Sequence, residues 1–214
     1  MWTLTNALTR LRDRLAEESS VFWDADDLTA YVNDAQRFIA SVTRGVEAEV
    51  THEVSRTDPV IPLPARVTNA HPSAAYVVGG RVLNVVPIAT ANMIDVNWRA
   101  RVAATPLWVV PHFTNREAYV SPRPSQPMDI TLTVAVLPND VAAGSDALFN
   151  GQEMMAKYLN SFLNLSASYA LLKERYDQDA ERFYNLAVQE LAQLGVVPEE
   201  IPPFKQVRDE QLES

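Results

Sequence analysis

Proline is unevenly distributed along this chain, and its distribution limits the possible folds more than any other feature. Eleven of the 14 prolines lie between Pro59 and Pro138, and the other three lie close to the C-terminal end. Proline removes a backbone N–H donor and clashes with the preceding helical turn, so long helices are excluded from the Pro-rich segment. Long helices are therefore expected only before and after it.

Two amphipathic helices are predicted before the Pro-rich segment. Leucine and alanine residues recur with helical spacing over about Thr3 to Glu18. A second helix is predicted after Asp24, which suits the N-cap, with Asp26 and Asp27 in the first turn. Its apolar face contains Leu28, Tyr31, Val32, Ala35, Phe38, Ile39 and Val42, and its opposite face carries Thr29, Asn33, Gln36 and Arg37. We expect this second helix to be the centre of a helical bundle.

Short runs rich in Val, Ile and Thr predict strands within the Pro-rich segment. Residues 75–78 and 81–86 flank Gly79-Gly80, a pattern typical of a β-hairpin with a two-residue turn. Further strands are predicted at Leu107–Pro111, Glu117–Ser121 and Asp129–Leu137. A small antiparallel sheet or sandwich follows from this pattern.

Helical periodicity returns near Asp146. A heptad-like apolar seam from Met155 to Tyr176, accompanied by a second apolar stripe, predicts a third helix that packs on two sides. A fourth helix is predicted up to Leu194, with Gly195 just beyond its C-cap. The residues after it include prolines and few apolar side chains, which predicts an extended tail.

These patterns together predict an α+β fold. We expect a bundle of about four helices, an inserted Pro-rich antiparallel β domain and an extended C-terminal tail. The predicted bundle comprises residues 1–58 and 141–195, the β domain residues 59–140, and the C-terminal arm residues 196–214.

Composition excludes several classes of function. Because the net charge is −9, nucleic acid is not expected as a tightly held ligand, although residues 61–140 alone carry a net charge of +2. The absence of cysteine excludes disulfides, thiolate metal sites and a cysteine nucleophile. With no apolar run of about 18 residues and no signal-peptide pattern, we expect a soluble protein made in a cytoplasm-like compartment.

No set of residues has the spacing of a catalytic, metal or cofactor site. The carboxylates of Asp24, Asp26 and Asp27 could bind a hard cation, but helix capping is the preferred interpretation. The three histidines lack paired spacing, and no G-x-S-x-G or phosphate-loop motif is present. We therefore predict a protein that is not an enzyme and that uses no metal or cofactor.

Aromatic and arginine residues alternate in the β segment. The residues concerned are Trp98, Trp108, Phe113 and Tyr119 together with Arg99, Arg101, Arg116 and Arg123. Such residues can stack on bases or sugars, or they can form a core with an adjoining protein interface. We prefer a core with an adjoining interface.

The order of these elements resembles the head-to-tail adaptor (connector) proteins of tailed bacteriophages, which bind directly below the portal. The resemblance covers nearly the whole chain. It is carried by the first helix, by Phe22-Trp23-Asp24, Leu28, Tyr31, residues 33–37 and Ile39, by Thr105–Trp108, Tyr119, Pro122, Pro124 and residues 129–137, and by Tyr158, Tyr169, Leu172 and the tail.

The resemblance implies a structural virion protein in the neck between head and tail, made in the cytoplasm of a bacterial host. It implies a ring of twelve copies that continues the DNA channel, through which DNA passes without specific binding. The implied partners are the portal protein, tail or nozzle proteins and other copies of the chain. The expected portal-binding residues are Ile201, Phe204, Val207 and Leu212. The expected interface with subunits or tail contains Trp98, Arg99, Arg101, Arg116 and Arg123.

Two alternatives to an adaptor stay open at the level of sequence. One is another structural protein of the virion neck or tail, such as a head-completion or tail-tube protein. The other is a carbohydrate- or peptide-binding module that uses the β insertion, with the helices as its scaffold.

Overall fold

The computed structural model describes residues 2–16, 23–68, 72–112, 116–197 and 201–213, with the side chains of 154 and 210–213 excepted. Glu18, Phe22, Phe113 and Pro198, which the sequence analysis invokes, lie outside the described residues. The fold is α+β, and it divides into two compact units. The helical unit contains Met1–Val46 and Pro138–Ser214, and the β unit contains Glu47–Leu137.

The described residues contain six α-helices and nine strands. The helices are α1 (Leu4–Arg14), α2 (Ala25–Thr43), α3 (Ile88–Ile94), α4 (Leu159–Lys173), α5 (Asp177–Gln193) and α6 (Phe204–Glu213). The strands are β1 (Glu47–Val54), β2 (Val60–Pro62), β3 (Ala74–Val77), β4 (Asn84–Val85), β5 (Val102–Ala103), β6 (Trp108–His112), β7 (Glu117–Ser121), β8 (Arg123–Pro124) and β9 (Met128–Ala135). The prediction of about four helices missed α3 and α6.

Helix α4, and not α2, is the centre of the helical unit. It contacts α1, α2, α5 and α6, and every side chain from Ser161 to Ala170 is buried. Serine and alanine on the faces outside the apolar seam allow neighbouring helices to approach from several sides, and Ser168 Oγ donates to the Ala180 carbonyl of α5 at 2.8 Å. The prediction for α2 was wrong because an amphipathic pattern marks a helix with a solvent face, whereas a fully buried helix loses that pattern.

Two amide side chains of α2 hold the chain where it re-enters the helical unit. Gln36 is fully buried; its Nε2 donates to Asn33 Oδ1 at 2.8 Å and to the Asn139 carbonyl at 3.0 Å. Its Oε1 accepts from the Phe149 N–H at 3.2 Å. Asn33 exchanges two hydrogen bonds with the backbone of Val141, at 2.9 and 3.0 Å. The face of α2 that its sequence marks as polar therefore binds the backbone of residues 139–149.

We call these hydrogen bonds of Gln36 and Asn33 the clamp. A left-handed turn follows the clamped segment and delays the start of the next α-helix. Phe149, Asn150 and Gly151 have φ of 52°, 54° and 76°, in a region that costs a non-glycine residue roughly 1–2 kcal/mol. The Asn150 side chain accepts from the Asn139 N–H at 2.9 Å, which ties the turn to the clamped segment. Right-handed helical geometry therefore returns only after this turn, as a 3₁₀ helix over Glu153–Tyr158, and the α-helix starts at Leu159.

The described residues of the β unit form three sheets, with strand orders β1-β9-β3, β2-β7-β6-β4 and β5-β8. Strand β1 lies within residues 1–58 but pairs with β9 over its full length, from Glu47↔Ala135 to Val54↔Met128. The hairpin around Gly79 is present in part, because the Val77 N–H donates to the Arg81 carbonyl at 2.9 Å. Its turn comprises residues 78–80, one more than predicted, and β4 pairs with β6 instead of continuing the hairpin. The prediction of an antiparallel domain is wrong for two pairs, since β4 with β6 and β5 with β8 are parallel.

Two helices occur next to prolines, where the sequence analysis predicted none. Helix α3 follows Pro87 and α6 follows Pro203, and proline is compatible with a helix start because the first N–H groups have no intrahelical acceptor. The predicted extended C-terminal tail is corrected accordingly, since α6 occupies much of it and contacts α4 and α5. The predicted stop at Gly195 is confirmed by its φ of +90°. The Gly195 N–H donates to the Ala192 carbonyl, and the Val196 N–H donates to the Leu191 carbonyl.

We predict that Gln36→Ala lowers the free energy of unfolding of the helical unit by about 3 kcal/mol, because it leaves buried backbone groups without partners. Urea unfolding followed by circular dichroism measures this. Arg37→Ala on the same helix is the control; it removes exposed ion pairs to Asp34 and Asp140 at 2.7 Å and should cost about 0–1 kcal/mol. An equal decrease in the free energy of unfolding in the two variants would contradict the stabilising role of the Gln36 hydrogen bonds.

Candidate functional site

An apolar ridge in the β unit faces solvent. It consists of Met93, Ile94 and Val96, at the end of α3 and just after it, which are 87%, 57% and 84% exposed. The inner side of α3 is closed, because Ala91 packs with Trp98 and Val110 in a buried cluster. A short helix with apolar residues on both sides contacts the sheet with one side and leaves the other available for a partner. We call Met93, Ile94 and Val96 the α3 ridge.

Trp98 holds the α3 segment on the sheet. Its side chain is only 1% exposed, and its ring lies edge-to-face with Tyr119, with centroids 6.1 Å apart. The indole N–H donates to Asn92 Oδ1 at 2.8 Å, and the Trp98 carbonyl accepts from Ser121 Oγ at 2.9 Å. Trp98, one of the five predicted interface residues, is therefore a core residue that positions the ridge.

Three of the four predicted interface arginines contact the segment that carries the ridge. The Arg99 guanidinium lies 4.4 Å from the Trp98 ring centroid, a cation–π contact. Arg123 Nε donates to the Arg99 carbonyl at 2.6 Å. Arg101 Nε forms an ion pair with Asp95 Oδ2 at 2.7 Å, and its hydrogen bond is the main reason that the pKa of Asp95 lies below its ordinary value. Arg99 and Arg123 thus place positive charge on this segment, whereas Asp95 balances the charge of Arg101.

Arg116 lies elsewhere in the β unit. It immediately precedes β7, and its carbonyl accepts from the Leu63 N–H at 2.8 Å. The opposite end of β7 is Ser121, which contacts Trp98, and five strand residues span roughly 16 Å. The structure therefore separates Arg116 from the group around Trp98.

The predicted portal-binding residues lie on the C-terminal segment, against the helical unit. Ile201 and Val207 are 8% and 4% exposed. The Phe204 ring packs against Tyr184 of α5, with centroids 5.6 Å apart. The Tyr184 hydroxyl donates to the Pro202 carbonyl. Two of the four predicted anchors are thus buried within the same chain, and the side chain of Leu212 lies outside the described residues.

A cleft of about 720 Å³ lies between α5 and residues 201–208. Arg208 lies at its edge, with Nη1 3.9 Å from Asp177 Oδ2. Half-exposed ion pairs of this length contribute little stability. The C-terminal segment is therefore held chiefly by Ile201, Val207 and the contacts of Tyr184.

The described residues offer surfaces for a macromolecular partner. No group of three or more potential ligand residues among them could hold a metal ion. Every helix in the described part of the chain falls short of the length or apolar character that crossing a bilayer requires. Sequence reasoning identified the arginines beside the ridge and missed the ridge itself. The available signal was the run from Ile88 to Val96, whose apolar residues exceed what one helix face can bury.

Comparison with known families identifies the chain. The model of the SU10 adaptor protein family matches residues 2–209, which include residues of both units. No curated protein matches the chain. The chain belongs to the SU10 adaptor protein family, a family of phage head-to-tail adaptors, and the resemblance seen in the sequence is confirmed. Proteins of this family are structural components of phage particles.

We predict that Trp98→Ala lowers the free energy of unfolding of the β unit by about 3–5 kcal/mol, because it empties a buried site of large volume. Met93→Ser, five residues away on the exposed ridge, should change it by less than about 0.5 kcal/mol. Urea unfolding of both variants, followed by circular dichroism, separates a core residue from a surface residue. A small effect of Trp98→Ala would contradict the anchoring role of this side chain.

Alkaline pH should lower the free energy of unfolding of the helical unit, because two tyrosines in it are buried. Burial raises the pKa of Tyr184 and of Tyr31 to about 12, and for Tyr31 the carboxylates of Asp27, Glu174 and Asp34 add to this. Both pKa values lie above the value of about 10 in the unfolded chain. The contribution of the two protonated tyrosines to the free energy of unfolding is therefore fully present below pH 10. It is lost as the pH rises from about 10 to about 12.

The measurement is the free energy of unfolding as a function of pH in the original chain, in Tyr31→Phe, in Tyr184→Phe and in the double variant. Each substitution should reduce the loss of stability above pH 10, and the double variant should show the smallest loss. An unchanged loss in the double variant would refute the assignment to these two residues.

Proposed function

We propose that the chain forms a ring under the portal, joins the capsid to the tail and continues the DNA channel in the virion neck. The observation that carries this proposal is the family match over residues 2–209. The α3 ridge and the C-terminal segment are separate surfaces, one in each unit, which suits a protein that binds more than one partner. The proposed partners are the portal protein, tail or nozzle proteins and other copies of the chain, with twelve copies in the ring.

The distribution of charge supports a channel that does not retain DNA. The β unit, residues 47–137, has seven basic and seven acidic residues, so the whole net charge of −9 lies in the helical unit. A channel wall with negative charge repels the phosphate backbone and lets DNA pass without being held. We propose that the helical unit contributes to this wall.

The C-terminal segment is the proposed portal-binding arm. Its proposed anchors are Ile201, Phe204, Val207 and Leu212. Because Ile201 and Val207 are buried against the helical unit, these side chains reach the portal only if the arm leaves its cleft. The hydroxyl of Tyr184 and the ring contact with Phe204 are the polar and aromatic contacts that such a release would break.

A ligand-binding module built on the β unit has less support. Stacking on a base or a sugar requires an accessible aromatic face. Trp98 is buried, and Arg99 covers one face of its ring. The aromatic group around Trp98 is therefore better suited to positioning the α3 ridge than to binding a ligand by stacking.

We predict that removal of residues 196–214 abolishes binding to portal rings of the same virus, while circular dichroism shows that both units stay folded. Co-sedimentation with portal rings measures the binding. Tyr184→Phe is the matched control, because it loosens the arm by one hydrogen bond and keeps every proposed anchor. It should bind at least as well as the original chain.

Two outcomes separate the parts of this proposal. Portal binding by the truncated chain would contradict the assignment of the arm and would leave the adaptor function in place. Absence of binding by the original chain would contradict the adaptor function itself.

A further inference from the structure

The α3 ridge has a chemical character that defines its partner. Its three apolar side chains are exposed, and Arg99, Arg101 and Arg123 contact Trp98, Asp95 and the Arg99 carbonyl in the segment that carries them. Among the described residues, neither Arg99 nor Arg123 has a carboxylate partner. An apolar centre with an arginine border is typical of protein interfaces. The matching surface must combine apolar side chains with negative charge.

One face of α5 has this character. The spacing of four, three, four and four residues places its members on one side of the helix. The members are Asp179, Phe183, Leu186, Glu190 and Leu194. Leu186 and Leu194 are 40% and 38% exposed, Phe183 is half-buried, and Asp179 is exposed. We call this set the α5 face.

We propose that the α3 ridge of one copy docks on the α5 face of the next copy. The charges are complementary, because arginines lie next to the ridge, whereas the α5 face carries the exposed carboxylate of Asp179 within the unit that holds all of the net negative charge. The other carboxylate of this face, that of Glu190, accepts hydrogen bonds from Ser161 and Asn164 of α4. The two surfaces are different, so the contact is heterologous, and repetition of a heterologous contact closes into a ring when the rotation permits. This inference rests on the proposed ring and specifies its subunit contact.

The size of the ridge determines when the contact forms. Three side chains bury on the order of a few hundred Å², whereas a stable pair of proteins buries about 1,200 Å² or more. The contact is therefore weak between two free copies and forms in a closed ring, where each copy makes it twice. Assembly on a portal ring supplies the required local concentration.

The absence of cysteine from the chain allows a direct test. Val96→Cys and Leu186→Cys are prepared as separate chains, mixed with portal rings and oxidised. Because each chain has a single thiol, any disulfide joins two copies. Both positions are exposed, so circular dichroism should show unchanged folding.

The mixture should yield about tenfold more cross-linked dimer than its control, because the proposed contact raises the local concentration of the two thiols. The control replaces Val96→Cys with Val82→Cys, at an exposed valine of the Gly79 hairpin that is not part of the ridge.

Three other outcomes overturn the inference. A ring that forms without this cross-link shows that the ridge faces another partner, and the adaptor function then stands. Efficient cross-linking of Val96→Cys with itself shows a symmetric contact between two ridges. Failure to form any ring with portal present overturns both the subunit contact and the proposed function.

Discussion

Two amide side chains of α2, the buried Gln36 and the half-buried Asn33, determine where the chain re-enters the helical unit after the β insertion. After the β unit, the chain must return to the helical unit and resume as α4. Gln36 and Asn33 bind the returning backbone at Asn139, Val141 and Phe149 through side-chain hydrogen bonds. Because these groups are shielded from water, each missing bond leaves a costly unpaired group. The clamp and the left-handed turn at residues 149–151 together direct the chain into the 3₁₀ helix, Glu153–Tyr158, that precedes α4.

In the β unit, buried and exposed apolar side chains lie on opposite sides of one short segment. Trp98 contributes its ring to the core, its carbonyl to Ser121 and one face of its indole to Arg99. These contacts fix α3 on the sheet and leave Met93, Ile94 and Val96 in solvent. Because α3 is already held in place, its side of the interface loses little conformational entropy when a partner binds. The C-terminal segment differs, because two of its apolar side chains, Ile201 and Val207, are buried against the helical unit.

The sequence predicted what depends on local periodicity. Helices α1 and α2, the N-cap at Asp24, the strand Glu117–Ser121 and the stop at Gly195 all follow from spacing, capping and turn chemistry, and the structure contains them. The centre of the helical unit could not be predicted, because burial on all sides removes the amphipathic pattern of α4. Tertiary contacts decide the role of Gln36, which periodicity places on a polar face. Among the site residues, composition identified Trp98 and its neighbouring arginines, but only the fold shows that the indole is buried and that the ridge is exposed.

The adaptor function is tested most directly by the mass and image of the complex between the chain and portal rings of the same virus. Native mass measurement combined with negative-stain imaging gives both stoichiometry and position. The account predicts one closed ring of twelve copies that caps one end of the portal and leaves a continuous channel. If the chain does not bind the portal and instead stacks on other copies of itself, the account is contradicted and a tube protein of the tail is indicated.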